Sequence, residues 1–263
     1  MPTPSSKRRP FSPSQSAQGA KATNAGELQH SHHPGGSTGS TCGRFPDELY
    51  LLDQGGFCGL DYRYLEIEGN EGFRHIRCPR ASPKPCPCGR HSLHTDSLVV
   101  AVDGACPGNG SCLAVKSAYG VFFGYGKDNL AIRIPDGHYP HTSQRAELEA
   151  AIAGIDASIP FIYEGGQWFC ENCDTPCPVE HLVIKSDSAY VVSGMVTHSK
   201  KWKKNGWRTV QNTEVKNLDL WKQLVGLVDG LYDGCGVSVD FWLVPRNQNQ
   251  EADKLANIGL QMY

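Results

Sequence analysis

At 263 residues with 39 % apolar content, the chain can bury one good-sized core and still have roughly 100 residues beyond a domain of typical size. A formal charge of −2 excludes binding to nucleic acid by global attraction, so any such contact must come from a local patch. No run reaches the length of a membrane span or a signal-peptide core, and the 11 cysteines, an odd number, cannot all pair within one chain. The expectation is a soluble intracellular protein with reduced thiols and no membrane partner, placed in the nucleus or cytoplasm with the mitochondrion left open.

Residues 1–41 are rich in Ser, Pro, Gly, Gln and His and poor in large aliphatics, so they are expected to form a disordered tail. Within them Lys7-Arg8-Arg9 reads either as an address or as a plain charged tail. Residues 42–96 scatter Leu49, Tyr50, Leu51, Leu52, Tyr62, Tyr64 and Phe73 among Cys58, Cys78, Cys86 and Cys88. This is too sparse for a core, and the expectation is an irregular, cysteine-containing extension draped on a main domain over 97–263.

That domain opens with Ser97-Leu-Val-Val-Ala-Val-Asp103-Gly104-Ala105, an apolar β-rich run that ends in a carboxylate and is expected to turn at the glycine. Residues 118–124 and 130–134 read as two more strands joined by a hairpin loop. Ser143 is a plausible N-cap for a helix from Gln144 to about Ser158, with Glu147 in its first turn. An insert follows over 161–179, and then His181-Leu-Val-Ile-Lys-Ser186 forms a strand ending at Asp187. Strand, helix, strand makes the new strand parallel to the first, which sets Asp187 beside Asp103 in the crevice where open α/β sheets build their sites.

Residues 189–196 read as helical. Next comes the most basic stretch, Lys200, Lys201, Trp202, Lys203, Lys204, Asn205, Gly206, Trp207 and Arg208. It suits a protrusion that tracks a phosphate backbone, and equally a solvated helix whose tryptophans face the core. An amphipathic helix through Leu218, Trp221, Leu224, Val225 and Val228, a strand over 236–244 and a last helix from Asn249 to about Leu260, with Asp253 in its first turns, complete the chain. The order β β β α β α α β α gives an α/β fold with a five-stranded mixed sheet and helices on both faces.

Asp103, Glu147, Asp187 and Asp253 thus each stand at an element boundary. Brought together, they repel one another and raise a pKa unless a cation sits between them. Oxygen-only ligands select Mg²⁺ or Mn²⁺ over zinc. Such a set can hold two ions about 3.5–4 Å apart, one activating water and one stabilising the leaving oxygen of a phosphodiester.

Four stretches carry a resemblance. Asp103-Gly104, Arg145-Ala-Glu147-Leu-Glu-Ala-Ala151, Ser186-Asp187-Ser188-Ala-Tyr190-Val191 and Glu251-Ala-Asp253-Lys-Leu-Ala256 are similar, in order, to the four acidic motifs of the ribonuclease H family. The run from Trp202 to Trp221 resembles the basic protrusion of its cellular type 1 members. The resemblance spans about residues 97–260 and implies a ribonuclease H-like fold. It also implies an endoribonuclease that hydrolyses the RNA strand of RNA–DNA hybrids with two Mg²⁺ ions, leaving 3′-hydroxyl and 5′-phosphate ends.

By the same resemblance Asp103, Glu147, Asp187 and Asp253 are the catalytic metal ligands. Asn109, Ser143 and Gln144 would contact RNA 2′-hydroxyls, Thr142 and Asn217 would hold a DNA phosphate, and Lys200, Lys201, Trp202, Lys203, Lys204 and Trp207 would line the hybrid. Each also has a plain reading: Asn109 as a turn residue, Ser143 as a helix cap, Thr142 as loop surface. The chain departs from the family's usual pattern in lacking a histidine over Val244–Asn249, where Arg246 stands instead, and an arginine near Pro140. No N-terminal hybrid-binding module is evident.

Cys170, Cys173 and Cys177 lie in the insert, with His181 beyond them and Cys86, Cys88 and His91 upstream. Together these could supply a tetrahedral structural Zn²⁺ site, against the plainer expectation of reduced surface cysteines. The expected protein is a monomeric ribonuclease H. Its rivals are a nuclease of the same fold with another substrate, and an inactive nucleic-acid-binding module.

Overall fold

A computed structural model of the chain describes residues 42–45, 65–69, 71–77, 93–94, 96–111, 116–137, 139–163 and 178–262. The expected tail over 1–41, and Cys86, Cys88, His91, Cys170, Cys173 and Cys177, lie outside the described residues. In chain order the strands are β1 (Cys42–Phe45), β2 (Glu66–Glu68), β3 (Arg74–Arg77), β4 (Leu93–His94), β5 (Ser97–Ala105), β6 (Ser117–Phe122), β7 (Leu130–Ile134), β8 (His181–Ser186) and β9 (Ser238–Leu243). The helices are α1 (Ser143–Tyr163), α2 (Ala189–Ser193), α3 (Ser199–Lys204), α4 (Leu218–Cys235) and α5 (Gln250–Gly259). Among the described residues no helix is long and apolar enough to cross a membrane.

The main sheet runs β1-β9-β8-β5-β6-β7, antiparallel across β5, β6 and β7 and parallel across β5, β8, β9 and β1. The expected five strands are all present, and a sixth is added: Cys42 to Phe45 pairs along the outer edge of β9. A four-residue Cys-Gly-Arg-Phe run has no alternation to announce it, and it becomes a strand because β9 offers an unpaired parallel edge. Helix α1 begins at Ser143 and runs through Pro160 to Tyr163, past the expected end. Its cap is Thr142, whose Oγ1 accepts from Arg145 N at 3.2 Å, so the expected Ser143 cap is one residue off and Glu147 falls just past the first turn.

Side chains alternate across β5 with period two, and the two faces meet different partners. Leu98, Val100 and Val102 join the large core with Leu148, Ile152 and Ile155 of α1 and Trp221 and Leu224 of α4. On the other face Ala101 packs with Phe122 and with Ala252 of α5, while Val99, Val183 and Trp242 pack with Leu65 and Ile76. The stretch around β2 and β3 therefore covers the part of the sheet that α5 leaves bare.

Within the expected extension over 42–96, the described residues of β2, β3 and β4 form a three-stranded antiparallel sheet. Its apolar residues are too few for a core of their own and are spent on one shared with β5, β8 and β9. Ile76 N also donates to Ser97 Oγ at 2.9 Å, and the fully buried His75 bonds through Nδ1 to Ser97 O at 2.5 Å. Accordingly Ile76→Ala is expected to destabilise the whole sheet domain by about 2–5 kcal/mol in one cooperative melt. A separate low-temperature transition in calorimetry would show instead that residues 65–77 unfold alone.

Candidate active site

Asp103 ends the buried run of β5 and is 9 % exposed. The expected turn after it does not occur: Gly104 stays in the strand, paired with Tyr119. Its lack of a side chain serves a close approach, because a Cβ there would lie 2.2 Å from Ala146 C and 2.3 Å from Glu147 N. The backbone of α1 thus rests directly on β5 beside the carboxylate. Gly120 repeats the device on the neighbouring strand, where a Cβ would meet Ala252 O of α5 at 2.4 Å.

Asp187 follows β8 directly, and Asn249 links it to β5 by donating from Nδ2 to Val102 O at 2.9 Å and to Asp187 Oδ1 at 3.3 Å. Glu147 accepts from Ser188 Oγ at 2.6 Å, and that same oxygen accepts from Val191 N as the cap of α2. Asp253 stands in the first turn of α5 and takes Arg246 Nη2 at 2.7 Å. Ser188 and Asn249 are the positioning residues that the sequence did not single out. A serine before a helix and an asparagine at a helix start read as ordinary caps, and Asn249 in fact makes no cap bond.

The four acids act on one another electrically. Burial first, then the charges of Asp187 and Asp253, push the Asp103 carboxyl up to about 8, and a side-chain hydrogen bond with Asp187 adds to the rise. Glu147 is also raised, by burial against the lowering Ser188 bond, with Asp187 adding to the rise. Among the described residues no three His, Cys, Asp or Glu side chains stand ready as a metal-ligand group. Glu147 is engaged by Ser188 and Asp253 by Arg246. His181, a possible zinc ligand by sequence, is committed to Ser238 Oγ at 2.7 Å and Asp240 at 3.2 Å, so its ring nitrogens serve the β8–β9 pairing.

A raised acid has a definite stability signature. From the ordinary aspartate range near about 3.9 up to about 8, native Asp103 keeps a proton that the unfolded chain has released. The native state binds more protons there, so without a cation stability falls as pH rises through that window and levels off above it. Thermal melts in chelator should show this decline in the wild type and a flatter one in Asp103→Asn. Equal slopes would show that Asp103 holds no such proton.

The expected nucleic-acid contacts fall in two places. Asn109, exposed in the turn after β5, accepts from Ser143 N at 3.0 Å, which ties that turn to the start of α1 beside Thr142 and the exposed Gln144. In the basic segment the two sequence readings divide by residue type. Lys200, Lys201, Lys203 and Lys204 are exposed, whereas Trp202 and Trp207 are half-buried against the core, with Trp202 5.2 Å from the Trp221 ring. Lys203 also pairs with Asp229 at 2.6 Å. Asn217, in a left-handed conformation, donates to Tyr190 Oη at 3.2 Å, and Trp221 Nε1 donates to the same oxygen at 3.1 Å.

A family model described as RNase H matches residues 95–261. Ribonuclease H of Crithidia fasciculata is 35 % identical over 142 residues, which cover 50 % of this chain and 28 % of that protein. Ribonuclease H1 of Homo sapiens is 31 % identical over 206 residues, 74 % of this chain and 62 % of that one. Ribonuclease H of Alcanivorax borkumensis is 31 % identical over 168 residues, 62 % and 91 % respectively. The chain therefore spans less than two thirds of the first two relatives. The crystal structure of RNase H1 from Halobacterium salinarum aligns with 63 % of this chain and 98 % of its own at 22 % identity and a TM-score of 0.38. With four carboxylates gathered at the ends of β5 and β8 and the starts of α1 and α5, and a family match that runs from β5 to α5, the chain belongs to the ribonuclease H family.

Proposed function

We propose that this protein is a divalent-metal-dependent endoribonuclease that hydrolyses the RNA strand of RNA–DNA hybrids and leaves 3′-hydroxyl and 5′-phosphate ends. The observation that carries the reading is the buried Asp103 carboxylate at the end of β5, on which the charges of the half-exposed Asp187 and Asp253 bear. Such an arrangement is costly as it stands and is relieved by a cation. Its donors are all carboxylate oxygens, which fits Mg²⁺ or Mn²⁺, and Asp103, Glu147, Asp187 and Asp253 are the residues that would hold two ions. When bound, the ions supply charge for the attacking and leaving oxygens of an in-line displacement.

The chain's own residues supply the rest. Ser188 fixes the Glu147 carboxylate on the face it shares with Asp187, where its second oxygen can order a water and take a proton from it. Asn249 holds Asp187 against β5. Asn109, Ser143 and Gln144 offer polar groups suited to ribose 2′-hydroxyls, and Thr142 and Asn217 to a DNA phosphate. The exposed lysines from Lys200 to Lys204 give the local positive patch that the net charge withholds. Residues 97–263 would act as the catalytic unit.

The test is cleavage of end-labelled RNA–DNA hybrid, duplex RNA and duplex DNA in Mg²⁺, with the product ends analysed. Cutting of the RNA strand in the hybrid alone is the expected result. Cutting of either other duplex at a comparable rate would move the protein to a nuclease of different substrate.

A further inference from the structure

Just before α1 stand Tyr139, Pro140 and His141. His141 is tied on two sides, through Nδ1 to Ser117 Oγ at 2.7 Å and through Nε2 to Asp136 at 3.0 Å. Tyr139, two residues earlier, is 57 % exposed. A single exposed aromatic residue is ordinary on a protein surface, but this one is held in place.

Arg145 of α1 does the holding. Its guanidinium carbon lies 4.1 Å from the centre of the Tyr139 ring, and its two Nη atoms donate to Asp219 at 3.0 and 2.8 Å. A two-pronged pair of this kind fixes the guanidinium plane, and the ring that rests on it is fixed with it. Arg145 covers one face of the ring, which leaves the exposure to the other face and the edge. Among the described residues none takes a hydrogen bond from the Tyr139 hydroxyl. Tyr125, equally exposed at 56 %, differs in that its hydroxyl donates to Glu251 at 3.1 Å.

The same arginine locates the ring. Arg145 N donates to Thr142 Oγ1 at 3.2 Å, and Asp219 stands two residues after Asn217. The fixed ring therefore belongs to one small cluster with Thr142 and Asn217, the two residues suited to a DNA phosphate. Beside a held phosphate, the group that a protein surface meets is the sugar.

We propose that Tyr139 packs its open face against a deoxyribose of the DNA strand and so selects DNA over RNA in that strand. C2′ of deoxyribose is apolar, whereas the hydroxyl that ribose carries there would lose its water beneath the ring. The Tyr139 hydroxyl can donate to the neighbouring phosphate. The inference rests on the hybrid-cleavage reading and adds to it a residue that reads the uncut strand, while Asn109, Ser143 and Gln144 face the RNA.

The test is binding of labelled RNA–DNA hybrid and of duplex RNA of one sequence by the full chain in chelator, where nothing is cut, together with steady-state cleavage in Mg²⁺. Tyr139→Ala should weaken hybrid binding roughly 5- to 10-fold, the low end for an aromatic platform, and duplex RNA binding hardly at all. In cleavage KM should rise with kcat unchanged, and the melting temperature should not move. Tyr139→Phe, which keeps the ring, should retain the preference for hybrid, and Tyr125→Ala should bind hybrid as the wild type does. A single ribonucleotide moved along the DNA strand should weaken wild-type binding at one position and make no difference there to Tyr139→Ala. Unchanged hybrid affinity in Tyr139→Ala, or an equal loss on both duplexes, would overturn the deoxyribose contact and leave the cleavage reading standing. A wild type that neither binds nor cuts hybrid would remove both.

Discussion

Replacing Asp187 by Asn is expected to lower cleavage of an RNA–DNA hybrid by more than about 100-fold while leaving the protein folded. Loss of a residue that merely supports a metal ligand costs roughly 10–100-fold, and Asp187 is argued to be a ligand itself. Asn keeps the size of the side chain and can still accept from Asn249 Nδ2, so the link to Val102 survives. What disappears is one negative charge beside Asp103.

That loss has a second, opposite consequence. Asp187 is the foremost charge that raises the Asp103 carboxyl, so without it the metal-free protein at pH 8 should melt at a higher temperature than the wild type. Lower activity together with higher stability cannot come from simple misfolding. Hybrid cleavage and thermal melts on the same two samples check both signs. An active Asp187→Asn protein would sink the four-carboxylate reading, and an inactive one that melts lower would make its inactivity a folding defect.

Gly104→Ala is the second large effect. The added methyl would sit 2.2–2.5 Å from the backbone of Ala146 and Glu147, far inside contact distance. Neither side can give easily. β5 is held in the sheet by β6 and β8, and α1 is packed along the same strand by Leu148, Ile152 and Ile155. Overpacking of this kind costs about 3 kcal/mol, which for a domain of this size lowers the melting temperature by roughly 6–12 °C. Glu147 rides on the displaced turn, so activity should also fall at temperatures where the variant is still folded. Gly226→Ala is the control: it lies inside α4 with nothing within 4 Å of the new methyl, and it should stabilise by up to about 1 kcal/mol. Equal melting temperatures for wild type and Gly104→Ala would show that α1 does not press on β5.

Some of this molecule could be read from residue order alone. The strands from Ser97 onward, the helices and the parallel pairing of β5 with β8 followed from periodicity and from the handed strand–helix–strand connection, which act over short separations. These rules alone bring Asp103 and Asp187 side by side. The positions of Glu147 and Asp253 were legible as helix starts, although the cap on α1 proved to be Thr142 and the helix ran on through Pro160.

What the sequence could not decide were pairings between distant segments that lack a pattern of their own. Cys42 to Phe45 is a strand only because β9 has a free edge, and β2 and β3 matter only because α5 leaves Val99, Val183 and Trp242 uncovered. The same holds in the site. Gly104 looked like a turn and is a point of helix contact, Ser188 and Asn249 carried no signal of their own and hold Glu147 and Asp187, and the two tryptophans of the basic segment pack against the core while their neighbouring lysines are exposed. Local propensity and connection rules determine which elements form and in what order. Close backbone approach, hydrogen bonds across more than a hundred residues and the covering of exposed apolar faces depend on where those elements come to rest, and only the tertiary structure decides that.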